Sequence, residues 1–314
     1  MFESTFSIVA PVFFVIAAGY AAVALKLFDG GFVDGLMKFA IQFAVPFLLF
    51  RATSTMDIGT AYDWRLFVGF YLASTISFIV ATLTAWWLFK RRPGEAVAIG
   101  FGALFSNLVL MGLPMSERAW GPDTEAMAAA YAIVSVHAPF CYLLGISTME
   151  VLRADGRTFV ETVQVVVRAM FRNSLMIGIA AGFAVNFSGI TLPETVAAAV
   201  DIIARSALPI ALFGLGGTLT RYSFKDSMGE AGVVSALSLM LHPAICLVIC
   251  RLLEVPDHLA HAVVLMAAMA PGINSYLFAS MYNRGQGTAA SVVLLGTSGS
   301  IVSVSFWLWV LAVV

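Results

Sequence analysis

The stretch "FSNLVLMGLPMSE", Phe105 to Glu117, places an asparagine, a glycine and a proline inside a long apolar segment. Proline removes a backbone donor and clashes with the carbonyl one turn earlier, and glycine loosens the turn. In a membrane-spanning helix, the backbone groups freed in this way must find partners in the protein, in water or in a ligand. The stretch therefore predicts a helix that is broken inside the membrane.

The composition of the whole chain supports a membrane location. Of its 314 residues, 61% are hydrophobic and 11% are charged, and the mean hydropathy is +0.94. A soluble domain carries about 25% charged residues, so this chain could not cover a soluble surface. The net charge of -1 indicates no affinity for nucleic acid. The first 25 residues lack a basic start and stay apolar too long for a signal peptide, which makes them the first span.

Ten apolar segments are long enough to cross a bilayer, for which about 20 residues are needed. Charged and turn-forming residues separate them. The predicted fold is an all-α polytopic membrane protein with spans at residues 5–25, 32–51, 65–89, 95–117, 124–150, 171–190, 195–219, 229–252, 257–281 and 286–313.

Lysine and arginine in the connections predict the orientation, because cytoplasmic loops carry an excess of both. The predicted connections on one side of the membrane contain 11 of them, and those on the other side contain 4, namely Arg51, Arg65, Arg118 and Arg251. The richer side consists of Lys26, Lys90, Arg91, Arg92, Arg153, Arg157, Arg168, Arg172, Arg221, Lys225 and Arg284. We expect that side to face the cytoplasm, with both termini outside.

An internal repeat divides the chain. Span two contains "AVPFLLF", residues 44–50, and span seven contains "ALPIALF", residues 207–213, at an offset of 163 residues. The repeat predicts two five-helix halves, residues 1–150 and 171–314, joined by a cytoplasmic connection at 151–170. An odd number of spans gives the halves opposite orientations, and inverted repeats are typical of secondary transporters.

Span nine is broken in the same way as span four. Its "MAPGINSYLF" places Pro271, Gly272 and Asn274 in apolar sequence. Prolines alone could do no more than kink ordinary helices, but breaks at matching positions of two repeats favour a transport site. Half-helix N-termini and uncharged amides suit a small anion, above all a carboxylate. The predicted substrate residues are Ser106, Asn107, Gly112, Pro114, Pro271, Gly272, Asn274 and Ser275.

These two motifs resemble the signatures of the auxin efflux carrier family. "SNLVLMGLPM" is similar to its Asn…Gly-Leu-Pro motif, and "APGINSYLFASMY" is similar to its motif in the penultimate span. The family includes bacterial malonate carriers of this size. The resemblance carries over Asn107, Pro114, Pro271 and Asn274 as substrate-region positions. The long cytoplasmic loop of the plant members is absent.

The resemblance also implies an architecture and a mechanism. It implies a scaffold of spans 1, 2, 6 and 7 and a mobile transport unit of spans 3–5 and 8–10. Spans four and nine would cross at their breaks, within an elevator-type transporter that forms a homodimer in the bacterial inner membrane.

Charged and titratable residues inside the spans are presumed functional until they are paired. Lys38 and Asp201 are related by the repeat offset, and Arg205 lies one turn from Asp201, where the two can form an i,i+4 ion pair. A structural or interface role is favoured over a coupling role for these residues. His137 maps by the same offset onto Ser300, in a polar stripe of span ten. It is either a packing histidine, which is the more frequent case, or a residue that couples anion to proton movement.

The sequence thus predicts a secondary transporter of small organic anions, either malonate-like dicarboxylates or auxin-like aromatic carboxylates. It predicts no enzyme, cofactor or metal site. A cation or proton exchanger would need a carboxylate at the crossing, and neither broken span has one near its break. An intramembrane hydrolase would need a nucleophile with a base, and no such motif occurs. A membrane ligand sensor without transport stays open, as do the substrate, the direction of transport and a coupling proton or sodium ion.

Overall fold

The computed structural model describes residues 2–153, 173–222 and 228–313, and every regular element in these ranges is helical. Twelve helices are used below. They are α1 (Phe2–Ala24), α2 (Gly30–Thr55), α3 (Trp64–Leu88), α4 (Pro93–Leu104), α5 (Leu113–Trp120), α6 (Glu125–Arg153), α7 (Ser174–Ser188), α8 (Glu194–Leu219), α9 (Met228–Leu252), α10 (Asp257–Ala267), α11 (Asn274–Met281) and α12 (Gln286–Val313).

Seven of these helices are long and apolar enough to cross a membrane, namely α1, α2, α3, α6, α8, α9 and α12. Predicted spans four, six and nine correspond to the shorter helices α4 with α5, α7, and α10 with α11. The chain is therefore an all-helical, multi-pass membrane protein. Most of the predicted connection at 151–170, with Arg157 and Arg168, lies outside the described residues, as do Arg172 and Lys225.

Polar residues at the helix ends explain why the helices begin where they do. Asp29, Asp63 and Asn173 each precede a helix, and their side chains accept hydrogen bonds from the backbone N–H of Phe32, Arg65 and Leu175 at 2.8 to 2.9 Å. Such caps satisfy backbone donors that the first helical turn leaves free.

Three prolines lie directly after a π-helical turn. The turns are Ala40–Ala44, Leu108–Gly112 and Leu237–Leu241, and they precede Pro46, Pro114 and Pro243. In each turn, the residue before the proline donates its N–H five residues back instead of four, as Leu113 does to Leu108. A wider turn accommodates the proline ring, which would otherwise press on the carbonyl one turn earlier.

Glycines bring α1 against α8 and α2 against α7 at backbone distance. A Cβ atom built at Gly19 would overlap the carbonyl of Phe213, and one at Gly216 would overlap the carbonyl of Ile16. A Cβ at Gly178 would likewise overlap the backbone of α2. Small residues at such contacts let membrane helices approach closely, so α1, α2, α7 and α8 pack tightly in these two pairs.

Asp201 lies in an ion-pair network. Its carboxylate is 2.6 Å from Nε of Arg205 one turn along α8, which confirms the predicted pair, and 3.0 Å from Nε of Arg51. The helix α2 continues to Thr55, so Arg51 lies within this helix and not in a connection as its predicted span end suggested. Lys38 is exposed. Asp201 therefore links α8 to α2, in keeping with a structural role.

Candidate functional site

The two helix breaks pair with each other. Residues 105–107 separate α4 from the π-turn before α5, and residues 268–273 separate α10 from α11. The N–H of Asn107 donates to the carbonyl of Ala270 at 2.8 Å, and the N–H of Gly272 donates to the carbonyl of Phe105 at 2.8 Å. Ser106 and Pro271 face each other as an isolated antiparallel bridge. We call this paired region, residues 105–107 with 268–273, the crossing.

Pairing of the breaks satisfies backbone groups that would otherwise be exposed inside an apolar environment. Each of the two hydrogen bonds joins a backbone N–H and a backbone C=O that have no partner within a helix. The backbone therefore needs no ligand at these four atoms. The polar side chains around the crossing and the N-termini of the helices that follow it remain available for binding.

Glycine makes the close approach at the crossing feasible. A Cβ atom built at Gly272 would lie 3.2 Å from the ring of Phe105 and 3.5 Å from Cα of Asn107. A Cβ at Gly112 would lie 2.7 Å from the sulfur of Met266. Both glycines stand in the predicted motifs, and the structure gives them a packing role.

Several polar side chains at the crossing have unused hydrogen-bonding capacity. The hydroxyl groups of Ser106 and Ser275 are fully buried and have no hydrogen-bond partner among the described residues. Asn107 is 6% exposed, and its side chain does not cap the helical turn that follows it. Asn274 is half-buried at the first position of α11. Buried polar groups are normally paired, so this cluster is a candidate site for a polar ligand.

The predicted site residues fall into two groups by position. Six of them lie at the crossing or at the start of α11, namely Ser106, Asn107, Pro271, Gly272, Asn274 and Ser275. Gly112 and Pro114 lie farther along the chain, at the end of the π-turn and in the first turn of α5. Of the eight, only Pro114 also lines the large cleft described below.

His137 lies against the crossing from α6. Its Nε2 donates to the carbonyl of Ser106 at 3.1 Å, and its ring centroid is 4.7 Å from that of Phe105. The sulfur of Cys141 lies 3.6 Å from Nδ1 and 3.8 Å from Nε2 of the ring. The ring is thus buried among aromatic, sulfur and backbone groups, while its coupling role stays a prediction.

Tyr142, which sequence reasoning did not select, also reaches the crossing from α6. Its hydroxyl group donates to Oδ1 of Asn274 at 3.2 Å. A tyrosine five residues after His137 in an apolar helix has no motif of its own. The only signal was a polar atom at depth in span five, the helix that also carries His137.

A cleft of about 850 Å³ opens beside α5. One wall consists of α1, α2 and α8, and the other consists of α5, α6 and the loop between them. Pro114 lines the cleft and lies seven residues beyond Asn107, so the cleft approaches the crossing along α5. A second cavity, of about 420 Å³, lies at the start of α4, beside Lys90, Arg91, Arg92 and Glu230.

Most charged groups in the large cleft are engaged. Arg51 and Arg205 share Asp201, and the guanidinium group of Arg118 donates to the carbonyls of Ser7 and Ile8 on α1 at 2.8 and 3.1 Å. The cleft is therefore lined by polar groups, and Arg118 connects its two walls by hydrogen bonds from α5 to α1. Within the described residues, no cluster of three or more His, Cys, Asp or Glu side chains could hold a metal ion.

Paired broken helices in an all-helical membrane protein are typical of secondary transporters. Comparison with known families agrees with this class. The family model described as "Membrane transport protein" matches residues 4–308, so the chain belongs to that family, and the resemblance to the auxin efflux carriers is confirmed.

Relatives of this chain include bacterial and plant proteins. It is 25% identical over 310 residues to the "Putative malonate transporter" of Rhizobium meliloti (strain 1021), covering 97% of this chain and 95% of that protein. It is 21% identical over 307 residues to the "Uncharacterized transporter YfdV" of Escherichia coli (strain K12), covering 96% and 95%. It is 25% identical over 138 residues to "Auxin efflux carrier component 6" of Arabidopsis thaliana, covering 42% of this chain and 23% of that protein.

Proposed function

We propose that this protein is a secondary transporter of small organic anions that works by alternating access, with its substrate site at the crossing. The observation that carries the proposal is the set of polar side chains there. Among the described residues, the buried hydroxyl groups of Ser106 and Ser275 have no hydrogen-bond partner, and Asn107 and Asn274 are their neighbours in the chain. These groups can bind a ligand without adding a fixed charge that would itself need compensation.

The electrostatics of the crossing favour an anion. The π-turn with α5 and the helix α11 both begin at the crossing, so the positive ends of their dipoles lie there. The sequence has no Asp or Glu between Phe101 and Pro114 or between Met266 and Met281. A cation exchanger would need such a carboxylate, so we favour an anion carrier over that alternative.

The cleft supports access from one side of the membrane. Its two walls belong to the proposed scaffold (α1, α2, α7 and α8) and to the proposed mobile unit (α3–α6 and α9–α12). Close glycine contacts hold the scaffold pairs together, whereas a cavity separates the two units near Pro114. Movement of one unit against the other would close this cleft and open the crossing to the opposite side.

The substrate class rests on the relatives and on the site chemistry together. One relative is named for malonate and another for auxin, and both compounds are carboxylates. Amide and hydroxyl donors bind carboxylates through charge-assisted hydrogen bonds. We therefore propose malonate-like dicarboxylates or auxin-like aromatic carboxylates as substrates.

A thermal-shift screen followed by an uptake assay tests this function. Purified protein is heated with malonate, succinate, benzoate or indole-3-acetate, and a ligand that binds the folded state raises the melting temperature. The stabilising acid is then offered to vesicles that contain the protein. Uptake above that of empty vesicles supports a transporter, and binding without uptake indicates a ligand sensor. If the protein shows no binding and no uptake, the proposal is contradicted.

We expect both termini to lie outside the cytoplasm. A reporter that works only outside the cytoplasm should be active when it is fused after Val314. A reporter that works only in the cytoplasm should be active when it is inserted between Arg153 and Arg172. The physical reason is the predicted bias of 11 lysines and arginines against 4, which becomes 11 against 3 when Arg51 is counted within α2. Reporter activity in intact cells measures both positions. A cytoplasmic C-terminus would contradict the ten-span count and the inverted repeat together.

His137→Gln is expected to keep the wild-type dependence of uptake on pH and on a proton gradient. The ring packs against Phe105 and donates to the carbonyl of Ser106, and a glutamine amide can still donate there. Uptake is measured on both sides of the reference histidine pKa of about 6.5. A flattened pH profile in the variant would instead assign His137 the coupling role, with the bound carboxylate as its counter-charge.

A further inference from the structure

Tyr222 and Tyr276 form a contact between the proposed scaffold and the proposed mobile unit. Their ring centroids lie 5.4 Å apart and the ring planes meet at 67°, which is an edge-to-face arrangement. Tyr222 follows the end of α8, and Tyr276 lies in the first turn of α11, two residues after Asn274. Edge-to-face rings attract each other beyond the burial of their surfaces. The two units therefore touch through aromatic rings close to the crossing.

Tyr222 lies on the side of the protein opposite the large cleft. The cleft is lined by α8 only as far as Leu212, and the rest of this helix, to Leu219, adds about 10 Å before Tyr222 is reached. The same holds for α2, because the cleft is lined by the end of this helix, from Leu48 onward. The segment that carries Tyr222 is attached to the start of α2 instead.

Arg221 makes that attachment. Its guanidinium group donates to Oδ1 of Asp34 at 2.7 Å and to the carbonyl of Gly30 at 2.7 Å, and both acceptors lie in the first turns of α2. Tyr222 is the next residue and is half-buried. The scaffold side of the aromatic contact is thus connected to two scaffold helices, α2 and α8.

The course of the chain through α10 and α11 places Tyr276 on the same side as Tyr222. The helix α10 begins beside the cleft, where Nε2 of His258 lies 2.9 Å from Oε2 of Glu125. The helix α11 ends beside the other end of α6, where the hydroxyl group of Tyr282 donates to Oε1 of Glu150 at 3.3 Å. Tyr276 therefore lies just beyond the crossing, on the path that leads away from the cleft.

The crossing thus lies between an open cleft and an aromatic contact. The cleft approaches it from one side along α5. On the other side, the rings of Tyr222 and Tyr276 are both half-buried and pack against the main hydrophobic core. A transporter that works by alternating access needs such a difference, because a substrate site open to both sides would leak.

We propose that Tyr222 and Tyr276 are the gate that closes the side opposite the cleft in this structure, and that their rings separate when the mobile unit moves. The inference rests on the proposed function, because it names the residues that close one side during alternating access. Tyr222 is the stationary half of the gate and Tyr276 the moving half. Since Tyr276 is two residues from Asn274, the gate moves together with the substrate site.

Cross-linking of the gate is the first test. Tyr222→Cys and Tyr276→Cys are combined and joined by a reversible bifunctional thiol reagent, and the three native cysteines are buried and so react slowly. The joined protein should still bind malonate or indole-3-acetate in a thermal-shift assay, because the cleft stays open. Its uptake should fall to that of empty vesicles and return when the link is reduced. Uptake at the rate of the unlinked variant would overturn the proposal.

Phe28 and Phe32 provide the matched control for the cross-link. Their rings are stacked with centroids 4.1 Å apart, and both residues belong to the proposed scaffold, in α2 and in the connection before it. Joining Phe28→Cys to Phe32→Cys does not connect the two units, so uptake should be unchanged. An equal loss of uptake in this control would show that the gate cross-link does not act by holding the units together, and it would overturn the proposal.

The second test needs no cross-link and no substrate. Ser275→Cys places a thiol at the crossing, and a membrane-impermeant thiol reagent is added to vesicles from the side opposite the cleft. With Tyr222→Ala, we expect labelling of this thiol about two- to tenfold faster than in Ser275→Cys alone, the effect of one lost aromatic contact. With Tyr222→Phe, which keeps the ring, labelling should be unchanged. The same variants without Ser275→Cys measure the background from native cysteines.

These measurements separate the gate from the function on which it rests. If the wild type takes up malonate or indole-3-acetate and Tyr222→Ala labels no faster than Tyr222→Phe, the gate is refuted and the proposed function stands. If the wild type neither binds nor takes up these acids, the proposed function fails and the gate fails with it.

Discussion

Asn107→Ala and Asn274→Ala are each expected to weaken the apparent affinity for the transported carboxylate by about 10- to 100-fold, because a hydrogen bond to a charged ligand contributes about 1.5–3 kcal/mol. Asn107 lies in the crossing and Asn274 directly follows it at the start of α11, so each broken helix contributes one of them. Neither is needed to pair the breaks, since the hydrogen bonds between them are made by backbone groups. The variants should therefore fold and lose transport.

Asn186→Ala provides a control with the same change of side chain. Asn186 lies on α7 and donates to the carbonyls of Thr53 and Met56 at 3.1 and 2.9 Å, so its role is structural. We expect this variant to have a lower melting temperature and an unchanged apparent affinity, the reverse of the crossing variants. Uptake kinetics and thermal melting of the three purified proteins measure both quantities. Unchanged affinity in both crossing variants would remove the substrate site from this position.

The helix boundaries could be predicted because local chemistry determines them. Prolines, glycines and charged residues fill the connections, so most predicted spans end within a few residues of the observed helices. The break in span nine was predictable for the same reason, since "APG" lies at the break itself. In span four the break lies at residues 105–107, and "GLP" stands in the helical turns that follow it. The i,i+4 pair of Asp201 and Arg205 follows from helical geometry alone.

Contacts between distant segments could not be predicted from the residues themselves, although the family resemblance implied that spans four and nine cross. The pairing of Asn107 with Ala270 joins residues 163 positions apart, and nothing in either motif states that one break satisfies the backbone of the other. Tyr142 was missed because its hydrogen-bond partner, Asn274, lies on another helix. The cleft is likewise a product of packing, since its walls come from five helices of both halves of the chain.

Satisfaction of the backbone at the crossing also changes the physical account of binding. The sequence suggested that freed N–H and C=O groups would meet a ligand directly. Four of them meet each other instead, which keeps the two broken helices together whether or not a substrate is present. Specificity would then come from side chains and helix N-termini, and the residues that hold the crossing in shape would be as important as those that face the ligand.

Gly296 is the residue on which this shape depends most directly. A Cβ atom built at Gly296 would overlap Cδ of Pro271 and lie 2.9 Å from its Cγ, and a proline ring in the crossing cannot swing aside. Gly296→Ala should therefore push α12 away from the crossing. We expect a loss of about 1–3 kcal/mol of stability, the usual cost of overpacking, together with loss of most transport because the paired breaks shift.

Gly232→Ala is the control that distinguishes this clash from a general effect of alanine. Gly232 lies within α9, and a Cβ atom built there meets nothing within 4 Å. Alanine is favoured over glycine in a helix interior by up to about 1 kcal/mol, so this variant should be as stable as the wild type or slightly more stable. Thermal melting and vesicle uptake of both variants decide the question. If Gly296→Ala matches Gly232→Ala in both measurements, α12 can yield at this contact, and the geometry of the crossing does not depend on it.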